Sequence, residues 1–121
     1  MKKIKMSDIP KEPEVGPMFR GPVTKQSILR DSDTKDCAVF IVNFGKGARN
    51  KLHTHDTDQI LIVTAGKGIV ATEDEKETVV TVGDTVFIGA GEKHWHGATK
   101  DSEFSHITIR RAKGRTVCLE V

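Results

Sequence analysis

At 121 residues the chain has room for one domain with one modest core. Charged residues make up 30% of it, yet the net charge is only +2 and no Lys/Arg stripe is present, so nucleic acid is excluded as a partner class. No run nears the roughly 18 apolar residues of a membrane helix. Residues 1–7 are basic, but Pro10 and Pro13 stand where a signal peptide would carry its apolar region. A cytoplasmic protein with no membrane partner is expected. Cys37 and Cys118 are isolated, with no CxxC spacing, and are expected as buried or free thiols in a reducing compartment.

Residues 1–20 carry Pro10, Pro13, Gly16 and Pro17, which predicts an irregular arm ahead of a single domain over 21–121. Val23–Leu29 reads as an edge strand. Cys37–Phe44 is rich in β-branched residues and reads as a strong strand. Residues 51–55 are short and alternating. Residues 59–64 form a strand that ends at a turn, Gly66-Lys67-Gly68. Residues 69–72 and 78–82 flank the run Glu73-Asp74-Glu75-Lys76-Glu77, a solvated hairpin tip. Gly83-Asp84 makes a further turn. Strands follow over 85–88, 94–98, 104–110 and 116–121. No segment sustains an apolar period of 3.6 over ten residues. Many short strands at regular spacing predict an all-β sandwich or barrel.

All five histidines fall in this strand-rich part. Side chains alternate along a strand, so His53 and His55 share a face, and so do His94 and His96. In the strand over 104–110, His106, Thr108 and Arg110 share the face opposite Ile107 and Ile109. Three polar residues on one face imply water or a polar cavity. Two HxH pairs in one small domain point to a metal, and neutral imidazole suits Zn, Fe, Mn, Ni or Cu rather than Ca or Mg.

The spacings Gly47-x5-His53-x-His55-x3-Gln59-x6-Gly66 and Gly83-x5-Gly89-x-Gly91-x2-His94 resemble the two motifs of the cupin family. The resemblance covers about residues 37–110. It implies a double-stranded β-helix or jelly-roll barrel, with His53, His55, the position held by Gln59, and His94 as ligands of one divalent transition metal. Gln59 replaces the usual Glu, Gly89 the usual Pro, and Ala98 an Asn. The runs from Gly45 to His55, Gln59 to Gly66 and Gly91 to Ala98, with Ser105-His106-Ile107, resemble a narrower subgroup. It contains the cupin hydroxynitrile lyases and cupins encoded near carboxymuconolactone decarboxylases. In the lyases three His and one Gln bind the metal, typically manganese, so manganese is the cofactor implied here, with Fe, Ni or Zn as other candidates. Small cupins are commonly dimers, and a homodimer is expected.

Around that ligand set, His96 and His106 are placed for acid–base work or for orienting a neighbour. Phe40, Val42, Lys51, Thr108 and Arg110 are the expected substrate-pocket residues, with Arg110 either meeting an anionic substrate or reaching solvent at the rim. Phe40 and Arg110 depart from the smaller or neutral residues expected in the lyases, so activity does not transfer with the fold. The expected function is that of a metal-dependent lyase or isomerase acting on a small hydroxy- or oxo-compound. An Fe-dependent dioxygenase and a non-catalytic binder of a small ligand are the alternatives.

Overall fold

The computed structural model describes residues 1–121 and is all-β apart from one 3-10 turn at Met6–Asp8. Twelve strands follow: β1 (Glu12–Pro13), β2 (Phe19–Arg20), β3 (Val23–Leu29), β4 (Cys37–Phe44), β5 (Arg49–Asn50), β6 (His53–His55), β7 (Gln59–Thr72), β8 (Glu77–Thr81), β9 (Thr85–Ile88), β10 (His94–Ala98), β11 (Phe104–Arg111) and β12 (Thr116–Cys118). They form one curled antiparallel sheet in the order β1-β3-β4-β11-β7-β10-β5-β2, with β9 and β8 added along β7, and β6 joining β10 to β12. The strand pattern predicts an all-β barrel or sandwich, and the jelly-roll form is the one the two-motif resemblance implies.

β7 is where the curl is made, and it corrects the reading of residues 59–72 as two strands around a turn. The 14 residues form one continuous strand. Its first half pairs with β11 and β9, and its second half with β10 and β8. Gly66 and Gly68 bend the strand from one sheet face to the other instead of reversing it. Gly66 has φ +69°, and the pairing of β7 with β11 shifts register nearby, between Ser105 and His106. A Cβ on Gly68 would come within 2.6 Å of the Phe104 ring, so the missing side chain lets β7 wrap the core. A Cβ on Gly66 would overlap the Glu103 carbonyl oxygen, and there the positive φ adds strain. Gly66→Ala is expected to destabilise the fold by about 3 kcal/mol or more. The measurement is a lower urea midpoint at unchanged slope; a midpoint equal to the wild type would remove the bend as the explanation.

The core between the two sheet faces is built from Val23, Val42, Phe44, Ala48, Val63, Val80, Ala98 and Phe104. The arm is less irregular than its prolines suggest. β1 pairs with β3, β2 pairs with β5, and the Gln26 side chain donates to the Met6 and Ile9 carbonyls at 3.3 and 2.9 Å. The tail is fastened by Glu120, whose carboxylate accepts from Arg20 (2.6 Å), Arg49 (2.7 Å) and the Leu52 amide (2.9 Å). The Leu52 hydrogen bond is the largest single cause holding the Glu120 carboxyl below its ordinary pKa, and Arg49 and Arg20 lower it further. Cys37 and Cys118 are free thiols, and both are exposed rather than buried. Each lies at a strand end beyond the core. No helix is long and apolar enough to cross a membrane.

Candidate metal centre

The site is assembled by antiparallel pairing. β6 meets β10 in a register that sets His53 directly opposite His94. His55 lies two residues along β6 and so shares the face of His53. Gln59 opens β7 opposite Ile88 and Arg110. His53, His94 and Gln59 are buried, at 1%, 1% and 4% exposure, and His55 is half-buried. The ring centroids of His53 lie 4.8 Å from His55 and 4.2 Å from His94, and those of His55 and His94 are 5.4 Å apart.

Each of these rings is held by its Nδ1. His53 Nδ1 donates to the Lys51 carbonyl at 2.6 Å and His94 Nδ1 to the Glu92 carbonyl at 2.8 Å. His55 Nδ1 meets Thr116 Oγ1 at 2.8 Å. A carbonyl partner fixes the tautomer, leaving Nε2 as the atom free to bind. His55 Nε2, His94 Nε2 and Gln59 Oε1 are buried without any hydrogen-bond partner. Buried polar atoms rarely go unpaired, and three of them among the residues of this cluster mark a place for a ligand.

A second arrangement competes on distance alone, since donor atoms of His53, His94 and His96 lie within 4.8 Å of one another. Hydrogen bonding separates the two. Both His96 ring nitrogens are engaged, Nε2 by Asn50 Nδ2 at 3.1 Å and Nδ1 by His106 Nε2 at 3.2 Å. His55 keeps an unpaired nitrogen instead. Three imidazoles and a neutral amide oxygen form a donor set that fits a divalent transition ion.

Burial, before any other cause, lowers the pKa of all five histidines. His53 is pushed down to about 3, with the charge of His94 adding to the effect. His55 is pushed down to about 4, with further lowering from His94 and Arg110. His94 is lowered. His106 is pushed down to about 4. His96 falls well below its ordinary range, helped by His106. All five are therefore neutral at pH 7, which is the form a metal requires.

Behind the cluster runs a buried chain of hydrogen bonds. Asn50 Oδ1 accepts from the His96 amide at 2.8 Å, which turns its Nδ2 donor towards the His96 ring. His96 Nε2 is thus an acceptor, and the ring proton sits on Nδ1, directed at His106 Nε2. His106 Nδ1 then donates to Thr108 Oγ1 at 3.1 Å. One amide orientation sets the tautomer of both rings.

A cavity of about 290 Å³ opens onto His53, His55, Gln59 and His96. Phe40, Val42, Thr108, Arg110, Lys25 and Glu14 also line it. Of the residues expected there, His106 is fully buried behind His96 and does not reach the cavity. Lys51 does not line it either. Strand pairing stops at Asn50 and resumes at His53, so the alternation that put Lys51 inside is interrupted, and the residue serves through its carbonyl. Lys25 is the lysine on the wall. It was not visible in the sequence, because its place inside depends on the pairing of Lys25 with Val42. Asn50 carried no sequence signal of its own. Trp95 points away from the site, and the Arg49 guanidinium lies 3.9 Å above its ring.

This fold and histidine cluster define a cupin. A family model described as a cupin domain matches residues 40–110, and the chain belongs to that family. It is 38% identical over 100 residues to the (R)-mandelonitrile lyase of Granulicella tundricola, an alignment spanning 82% of this chain and 76% of that protein. Among solved structures, a cupin-like protein of Thermotoga maritima superposes with a TM-score of 0.86 at 32% identity, covering 92% of this chain and 86% of the other. The polyketide cyclase RemF of Streptomyces resistomycificus superposes with a TM-score of 0.89 over 100% of this chain and 87% of its own, and at 15% identity it shares the fold alone. The chain is a small cupin resembling the hydroxynitrile-lyase-like members.

Proposed function

We propose that this cupin is a metal-dependent lyase or isomerase acting on a small hydroxy- or oxo-compound, with cyanohydrin cleavage as the named instance. The observation that carries the reading is the trio of buried, unpartnered atoms, His55 Nε2, His94 Nε2 and Gln59 Oε1. With His53 they would hold one divalent ion, and manganese is the first candidate because this set of three His and one Gln resembles that of the cupin hydroxynitrile lyases. A bound ion there supplies Lewis acidity to a substrate hydroxyl or carbonyl oxygen. Four neutral ligands leave its charge uncancelled, which favours an anionic oxygen.

The chain's own residues supply proton handling and confinement. His96, on the cavity wall, takes the hydroxyl proton of the substrate at Nε2 as the carbonyl forms, the substrate hydroxyl displacing the Asn50 Nδ2 donor that otherwise holds that nitrogen. For a cyanohydrin the carbon–cyanide bond breaks in the same step, and cyanide leaves carrying the bond's electron pair. The proton then passes from His96 to cyanide, giving hydrogen cyanide and the aldehyde. His106 steadies the charged His96 ring through the 3.2 Å contact at Nδ1. Phe40 and Val42 form the apolar wall that limits access of water.

Protein loaded with Mn(II) and mixed with mandelonitrile is expected to release benzaldehyde, followed by absorbance, at a rate that disappears on chelation. Absence of a metal-dependent rate, with occupancy shown by metal analysis and electron paramagnetic resonance, would remove cyanohydrin cleavage as the activity.

A further inference from the structure

The cavity wall carries two cations that proton handling and metal binding do not use. Arg110 lies directly across the β7–β11 pair from Gln59, on the same face. Lys25 lies across β3–β4 from Val42. The two flank Phe40, with Lys25 Nζ 4.2 Å and Arg110 Cζ 5.4 Å from the ring centroid. Only 18% of the Arg110 side chain is exposed. Its one protein hydrogen bond is from Nη1 to the Arg111 carbonyl at 3.2 Å. Its one ion pair, with Asp31, is at the long limit, 4.0 Å from Nη1 to Oδ1, and Asp31 is 43% exposed, so that pairing is weak. A guanidinium this enclosed has a planar fork of donors to offer, a shape that matches a carboxylate. Glu14 is the only acidic residue on the wall, against two cations. The ligand set adds no negative charge, because the position that would carry a carboxylate is Gln59.

We infer that the substrate is a small hydroxy- or oxo-carboxylate, its carboxylate held by Arg110 with Lys25 beside it, and its hydroxyl or carbonyl oxygen directed at the His53, His55, Gln59 and His94 cluster. The assignment of that second oxygen rests on the proposed function; the anion site stands on Arg110 and Lys25. At about 290 Å³ the cavity is at the small end of ligand pockets, roughly 300–1,000 Å³. Phe40, within cation–π distance of both cations, and Val42 give the organic part of such an acid apolar wall to pack against.

The test compares mandelate with mandelamide, which have nearly the same shape and differ in charge. Binding is read by calorimetry on Mn(II)-loaded and on chelator-treated protein, with no turnover required. Wild-type protein is expected to bind mandelate at least tenfold more tightly than mandelamide. Arg110→Gln is expected to abolish the preference while metal content and melting temperature stay at wild-type values. Lys25→Met is expected to weaken it, and Arg110→Lys, which keeps the cation, to restore part of it. A preference that survives Arg110→Gln overturns the inference, because the metal alone would then account for it. Inorganic phosphate binding more tightly than mandelate overturns the carboxylate assignment. A preference present in chelator-treated protein and lost in Arg110→Gln supports the anion site even if mandelonitrile is not cleaved.

Discussion

His53→Ala and His94→Ala are each expected to purify with less than about one tenth of the wild-type metal and to lose the rise in melting temperature that added Mn(II) gives the wild type. Removing a residue that merely orients a ligand costs about 10–100-fold in metal affinity, and removing a ligand costs more. A 100-fold loss from saturation removes about 2.7 kcal/mol of linked stability, on the order of 10 °C for a domain of this length. The informative contrast is with the neighbours. His55→Ala should behave like His53→Ala, since His55 Nε2 is one of the unpaired atoms. His96→Ala should keep its metal, because both ring nitrogens of His96 are already occupied by Asn50 and His106. It should still lower the melting temperature of metal-free protein, because it leaves a hole beside Phe44 and an unpaired Asn50 amide. If His96→Ala empties the site and His55→Ala does not, the ligand set is the His53, His94 and His96 cluster and the assignment to Gln59 and His55 falls. Metal per chain by elemental analysis and melting with and without Mn(II) decide it.

What could be read from the sequence divides along a physical line. Facing within one strand is a local property of alternation, so the shared face of His53 and His55, of His94 and His96, and of His106, Thr108 and Arg110 followed from residue parity alone. Local alternation fails where the strand stops, and Lys51 shows the failure. It sits in the gap between β5 and β6, where parity no longer carries. Gly66-Lys67-Gly68 misled for a related reason. Glycine permits a bend or a reversal equally, and the choice is made by the packing of Phe104 and by the pairing partners on both halves of β7. Lys25, Asn50 and Thr116 reach the site only through inter-strand register or a long-range hydrogen bond, which no single segment encodes. The ligand positions stood out because the two motifs carry their spacing in the chain. The residues that tune the site were hidden because their partners lie far along the chain, from Lys25 with Val42 to Thr116 with His55, 61 residues apart.

The same burial that prepares the imidazoles for a metal sets a limit on the acid stability of the metal-free chain. An imidazole whose native pKa lies below its unfolded value binds fewer protons in the folded state. Stability then rises with pH wherever the unfolded chain is protonated and the native one is not. For His53 and His106 that window runs from the ordinary 6.5 down to about 3 and about 4 respectively. The stability is fully present above pH 6.5 and is lost as pH falls through the window. At pH 5 each of these two residues has lost about 2 kcal/mol, so together they remove about 4 kcal/mol. His96, His94 and the less enclosed His55 are lowered in the same direction and add to the loss. A small domain holds about 5–15 kcal/mol in total. Chelator-treated protein is therefore expected to unfold with a midpoint between pH 4 and 6, followed by far-ultraviolet circular dichroism, with the melting temperature level above pH 7. Added Mn(II) binds only the deprotonated native cluster and should move the midpoint to lower pH, by an amount that grows with metal concentration. A melting temperature that stays level from pH 7 to 5 without metal would mean that the buried imidazoles find protons or water in the native state, and the enclosed, neutral cluster described above would be wrong.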